Sequence, residues 1–313
     1  MRTITIECDY LNPTTKELLL PEFLNDPSNS ERTAIEYRNN IYLICENLQK
    51  DFLEIKEKDA HKYFEFLRNK YEQGQLTRKT IHVRLSCYLS FGRFINLHHP
   101  ELNYKNPFIH ISRVPVDNSI PADSFPSIKE MDAIMTAAKE MGAAYFVILA
   151  LISRCGLSVS EAIGLSENQI CTTNGKMALR FKGKKDDQLP RTMLVPEDIA
   201  EILNDYTSTY SLRDSSKHIF FNRHGNPMTL KNLDAAVEKI VSAALPEKVF
   251  SHRKYTAKDM RTHAIMEFRK VGVAPEKAAA YVGMSELRVS CYYMAPLSAE
   301  DCPANLTNYR LRT

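Results

Sequence analysis

The residue types best able to do chemistry in this chain are cations set beside tyrosines. In Thr256-Ala-Lys258-Asp-Met-Arg261-Thr-His263, Thr256 can cap a helix, and Asp259 stands at the capping-box spacing. Lys258 and Arg261 are then i and i+3, side by side on one face, able to grip one phosphate, Arg261 in bidentate fashion. His252-Arg253-Lys254 adds positive charge just before them. Lys182-Gly183-Lys184-Lys185 closes a strand and enters a turn, a place from which an ammonium can reach a phosphate. A third cluster, Arg78, Lys79, His82 and Arg84, opens a helix capped by Thr77, where the dipole and free amides favour anions. Each cluster, taken alone, is equally well read as a solvated basic face. Tyr292-Tyr293 ends the last strong helical pattern, and a Tyr pair is as readily packing as chemistry.

The elements that must position these groups follow from pattern. Residues 1–28 lack periodicity, are broken by Pro13, Pro21 and Pro27, and are expected to form a partly ordered arm. Apolar stripes at helical spacing predict three helices in 29–108: Ala34, Tyr37, Ile41, Ile44 or Cys45, and Leu48; Ala60, Tyr63, Phe64, Leu67 and Tyr71; Ile81, Leu85, Tyr88, Gly92 and Ile95. The proline-bearing stretch 109–126 is expected to be a linker. Ser127 and Glu130 form a capping box that opens a mostly helical domain over 127–294, and a tail follows over 295–313. Asn174-Gly175 predicts a tight hairpin turn, which with Met177, Leu179 and Phe181 and the later Arg191–Val195 makes a three-stranded antiparallel meander. Helices are expected from about Thr229 and Thr256, with short ones near Glu276 and Glu286.

Composition narrows the function. The chain has 313 residues, 44% hydrophobic and 25% charged, with a formal net charge of +3, so a disordered or fibrous chain is excluded and nucleic-acid binding is permitted without being required. Seven cysteines without a C-x-x-C pair predict no zinc site and a reduced, intracellular setting. The longest apolar run, Ala143 to Ile152, is too short to cross a bilayer, and the N-terminus has the look of neither a signal nor a transit peptide. With ten glycines and no Gly-rich phosphate loop, nucleotide-binding folds are disfavoured.

The order of these features over residues 30–294 resembles the tyrosine recombinases, or phage integrases. Cys155-Gly-Leu-Ser158-Val-Ser-Glu161-Ala-Ile-Gly-Leu165 is similar to the family's T-G-L-R-x-S-E-x-x-x-L box. Lys182-Gly-Lys-Lys185 with Arg191-Thr-Met-Leu-Val-Pro196 is similar to its G-K-G-x-K-x-R-x-V-P hairpin, lengthened by a few residues. Phe220 to Thr229 resembles the segment before the next helix. Lys258 to Thr262 falls on H-x-L-R-H and Val282-Gly-Met284 on L-G-H, with Tyr293 nine positions after Met284. The resemblance implies a mainly α chain with a small antiparallel β-meander: a two-domain clamp of a helical, SAM-like core-binding domain and an integrase-type catalytic domain.

It further implies Tyr293 as nucleophile, Lys182 as general acid with Lys184 as fallback, Arg261 as a phosphate-clamping arginine, Lys258 in the place usual for His, and Glu161 as the acidic neighbour of the first arginine. That first arginine is absent, with Ser158 in its place; Thr262 and Met284 stand where histidines or a Trp are usual. Losing one such donor set costs on the order of 100- to 1000-fold in rate. Arg154 is a candidate to swing into the gap, and Ser158 also reads as a plain N-cap. The expectation is a double-stranded DNA-binding protein, cytoplasmic and nucleoid-associated, needing no cofactor or metal, with self-association on DNA and with cleavage lost or severely impaired. Two alternatives stay open: an active site-specific recombinase, and a helical protein-interaction module without DNA binding. Arg78, Lys79, His82, Arg84, Lys184, Lys185, His252, Arg253 and Lys254 are the expected DNA contacts.

Overall fold

A computed structural model describes residues 8–27, 29–113, 120, 121, 124–182, 191–210, 218–248 and 254–294. The chain divides into two compact units, 1–117 and 118–313.

In the first unit a π-helical turn, Thr14–Leu19, runs into α1 (Leu20–Leu24). Three longer helices follow: α2 (Glu31–Leu48), α3 (Glu57–Glu72) and α4 (Arg78–His98). The predicted stripes supply the core: Ile41, Ile44, Ala60, Tyr63, Phe64, Leu67, Ile81, Leu85, Tyr88 and Ile95 are buried. Residues 14–24, read from sequence as an arm, are helical and bury Leu19, Leu20 and Phe23 in this same core. Prolines at 13 and 21 hide that helix from a periodicity reading, although proline is tolerated in a first turn. Phe23, Phe52, Phe91 and Phe108 form a chain of rings with centroids 4.7 to 5.6 Å apart. The buried hydroxyl of Tyr88 donates to the carbonyl of Asn40 at 3.1 Å and so accepts from Tyr63 at 3.3 Å.

The second unit begins at the box predicted for Ser127. Its hydroxyl accepts from the Glu130 amide and the Glu130 carboxylate takes the Ser127 amide, opening α5 (Ile128–Met141). The run Ala143–Ile152 lies in α6 (Ala143–Cys155), apolar nearly all round and therefore surrounded, with α5 and α8 (Glu197–Tyr210) against it. Among the described residues no helix is long and apolar enough to cross a membrane. A short α7 (Val159–Ile163) leads to the sheet: β1 (Ile170–Thr173), β2 (Lys176–Phe181) and β3 (Arg191–Leu194), antiparallel in the order β1-β2-β3. Asn174 at φ 51° and Gly175 at φ 75° make the turn that their dipeptide predicts. Phe181 pairs with Arg191 across β2 and β3. The remaining helices are α9 (Leu230–Ala244), α10 (Ala257–Lys270), α11 (Pro275–Val282) and α12 (Glu286–Tyr293). The hydroxyl of Tyr281 on α11 donates to the carbonyl of Leu194 on β3 at 2.8 Å, which sets the end of α11 beside the sheet.

Candidate functional site

The site is built around the box at Ser158. The Ser158 hydroxyl accepts from the amide of Glu161 at 3.3 Å, and Oε2 of Glu161 takes the Ser158 amide at 2.8 Å. This fixes the carboxylate at the head of α7 and leaves Oε1 to meet a cation. That cation is Arg191, whose Nη2 lies 3.2 Å from Oε1, with only 14% and 13% of the two side chains exposed. Arg191 opens β3, and its guanidinium also lies over its cross-strand partner Phe181, 4.8 Å from the ring centroid. Nη1 rests against the bare backbone of Gly283, where a side chain would otherwise stand. Nε is buried with no partner among the described residues, an arrangement that costs about 1–3 kcal/mol unless a ligand fills it.

Arg261 projects from the first turns of α10 toward the same place. Its Nε donates to the carbonyl of Gly156 at 2.8 Å and its Nη2 to the carbonyl of Val282 at 2.6 Å. The two guanidiniums therefore flank one peptide unit, between Val282 and Gly283. Burial pulls the Arg261 pKa down, the charges of Glu161 and Tyr292 push it up, and the neighbouring Arg191 pulls it down further. An arginine remains charged through such a shift. For Glu161, burial raises the pKa, but the hydroxyl and amide of Ser158 and the charges of Arg191 and Arg261 outweigh it, so the carboxyl titrates below its ordinary value. Two cations against one carboxylate leave a single positive charge, suited to an anion such as a phosphodiester.

The other expected site residues lie as follows. Lys182 is exposed, directly after the cross-strand partner of Arg191. Lys258 is exposed, and Thr262 is buried with its hydroxyl on the Lys258 carbonyl at 3.3 Å. Met284 packs on the cluster formed by α10, α11 and α12. Tyr293 is half-buried in that cluster, and its hydroxyl donates to the carbonyl of Val273 at 2.6 Å. Burial raises its pKa, with Arg269 opposing and Glu276 adding to the shift. Arg261 and Tyr293 share no hydrogen bond among the described residues; the phenol that bears on Arg261 is that of the buried Tyr292. Lys254 pairs with Glu238 at 3.1 Å. Lys184, Lys185, His252 and Arg253 lie outside the described residues. Arg154, the candidate for the gap at Ser158, is instead exposed and paired with Asp198 at 3.1 Å.

In the first unit, Arg78 and Lys79 are exposed at the head of α4, which Thr77 caps as predicted. Arg78 donates from Nε to the Tyr71 hydroxyl at 2.8 Å and lies over that ring. His82 is half-buried. Arg84 is half-buried as well, its Nε enclosed without a hydrogen-bond partner among the described residues and its charge bearing on the hydroxyl of Tyr63.

Sequence reasoning assigned no role to Arg191. The available signal was its place across the hairpin from Phe181, one residue beyond which stands Lys182.

The chain is similar to known proteins in both sequence and fold. The sequence pattern of the phage integrase family matches residues 127–299. Tyrosine recombinase XerC of Bacillus pumilus is 26% identical over 197 residues, covering 62% of this chain and 63% of that protein. Tyrosine recombinase XerC of Listeria welshimeri is 24% identical over 254 residues, covering 76% and 82%. Among solved structures, the Tn1549 transposon integrase in complex with transposon right end DNA superposes with a TM-score of 0.65 at 16% identity, over 92% of this chain and 97% of that one. A lambda integrase dimer bound to a COC′ core site gives 0.63 at 13% identity, over 89% and 77%. These structures share the two-domain, mainly helical fold with its small antiparallel sheet. With the family pattern spanning more than half of its length, the chain belongs to the phage integrase family.

Proposed function

We propose that this protein binds duplex DNA through phosphate contacts from both units and that strand cleavage through Tyr293 is lost or severely impaired. The observation that carries the binding is Arg261: a half-buried, charged guanidinium fixed by two backbone carbonyls, with Nη1 making no hydrogen bond among the described residues. A group held so rigidly in a family that handles DNA is suited to grip a phosphate oxygen. Lys182, Lys258, Arg78 and Lys79 are exposed cations able to add phosphate contacts. Relatives of the same fold were captured with DNA.

The impairment follows from chemistry. In-line attack by a phenol on a phosphodiester piles negative charge on the nonbridging oxygens, which needs convergent donors already in place. Ser158 spends its hydroxyl and amide on the helix cap, and Met284 has no donor. The Tyr293 hydroxyl is committed to the Val273 carbonyl at 2.6 Å.

Duplex affinity measured across salt concentration, followed by incubation with a suicide substrate, tests this reading. Salt-dependent binding with no covalent adduct is the expected result. Negligible, salt-insensitive affinity would refute DNA binding and favour a protein-interaction module. An adduct abolished by Tyr293→Phe would establish the second reading, an active recombinase with a non-standard site.

A further inference from the structure

We infer that Arg191 replaces the arginine missing at position 158, so that Arg191 and Arg261 together form a two-guanidinium site for a DNA phosphate. The inference rests on the DNA-binding reading above and adds the residue that completes its grip.

Four observations converge. Ser158 leaves a vacancy beside Glu161, and the guanidinium in contact with that carboxylate is the one from β3, at 3.2 Å. Arg191 and Arg261 flank the same peptide unit, one against Gly283 and the other on the Val282 carbonyl at 2.6 Å. Gly283 is itself exposed, so an anion can approach Nη1 across bare backbone. Donors remain to be used: Nη2 is held by Glu161, while Nε is buried without a hydrogen-bond partner among the described residues.

Charge agrees with geometry. Without Arg191, Arg261 and Glu161 cancel, and the pocket has no net attraction for a diester. With it, one positive charge faces one negative charge, and donors are presented from two directions. A lysine could not offer the same planar set, although it would keep the charge. The carboxylate serves to hold Arg191 in place, since its second oxygen is already tied to the Ser158 amide.

The test compares wild type with R191Q, R191K and the double variant R191Q/S158R, with circular dichroism and thermal melting confirming that each is folded. Duplex binding is read across salt concentration. R191Q is expected to weaken binding on the order of tenfold, as for loss of a charge-assisted hydrogen bond. It should also reduce the slope of log K against log salt by about 0.9, as for one lost phosphate contact. R191K should keep the slope, and S158R should restore what R191Q loses by supplying a guanidinium from the head of α7 in place of the one from β3. As an independent probe, inorganic phosphate should raise the melting temperature of wild type over chloride at equal ionic strength, and not that of R191Q. Folded R191Q with wild-type affinity, slope and phosphate response overturns the inference, as does a double variant that regains nothing. If wild type binds no duplex yet shows a phosphate response that R191Q abolishes, the two-arginine site stands and the DNA reading fails.

Discussion

The guanidinium of Arg191 occupies the space that a side chain at position 283 would need. Gly283 ends α11 at φ +65°, and an added Cβ would fall on Nη1 of Arg191. The absence of a side chain there is what lets a β3 residue reach the carboxylate of Glu161 and stand beside Arg261.

Gly283→Ala is therefore expected to act twice. The left-handed backbone costs an L-residue about 1–2 kcal/mol, and the displaced guanidinium loses its pair with Glu161. Urea denaturation should show a loss at least as large as the backbone cost, accompanied by weaker duplex binding. An unchanged midpoint would mean that Arg191 has another resting place.

Ser158 holds a cap that is independent of any ligand. Ser158→Ala should lower stability by about 0.5–2 kcal/mol, the usual worth of such a cap. The measurement is a denaturation midpoint at neutral pH with no DNA present. A variant as stable as wild type would show that packing alone secures α7.

Glu161 ties stability to acid. Its pKa is lowered in the folded protein, from an ordinary value of 4.5, because the Ser158 contacts and two arginines outweigh burial. A depressed carboxyl contributes stability that is full above pH 4.5 and is lost as pH falls through the folded value. Glu161→Gln should be destabilising at pH 7, with the difference from wild type shrinking below about pH 4.5. A pH-independent difference would remove the ionic contribution.

His263 sets a second window. It is buried, and since its Nδ1 faces the Pro126 carbonyl at 2.8 Å, that nitrogen carries the proton and donates. Burial lowers its pKa below 6.5, opposed by the Pro126 bond and by Glu267 and Asp132, with Lys270 adding to the fall. The unfolded chain thus binds this proton more readily, so stability is full above about pH 6.5 and declines as pH falls through the folded value. His263→Gln should flatten the stability profile between pH 5 and 7. A profile as steep as that of wild type would assign the slope to other groups.

Two cations of α4 should separate by behaviour. Lys79 is exposed, so Lys79→Ala is expected to reduce the salt slope of duplex binding by about 0.9 without changing stability. Arg84 is half-buried against the Tyr63 hydroxyl, so Arg84→Ala should lower the melting temperature of the first unit and leave the slope nearly unchanged. The reverse pattern would place Arg84 on DNA.

What the sequence determined by itself was local. The boxes at Ser127 and Ser158, the Asn174-Gly175 turn and the starts of α4, α9 and α10 all depend on hydrogen bonds or dihedrals within three or four residues, so residue type and spacing are enough to specify them. The apolar stripes of α2, α3 and α4 were legible for a similar reason, since helical period maps directly onto a buried face. The motif order also carried the family. Tertiary structure decided the rest. Whether an arginine faces Glu161 depends on how the sheet packs under the last helices, and Arg191 meets Gly283 across 92 positions of chain. Arg261 finds carbonyls at 156 and 282, and Tyr293 spends its hydroxyl on Val273, contacts that no spacing rule encodes. Such meetings are settled by burial and by the satisfaction of polar groups within a close-packed unit, which act between residues near in space and distant in sequence.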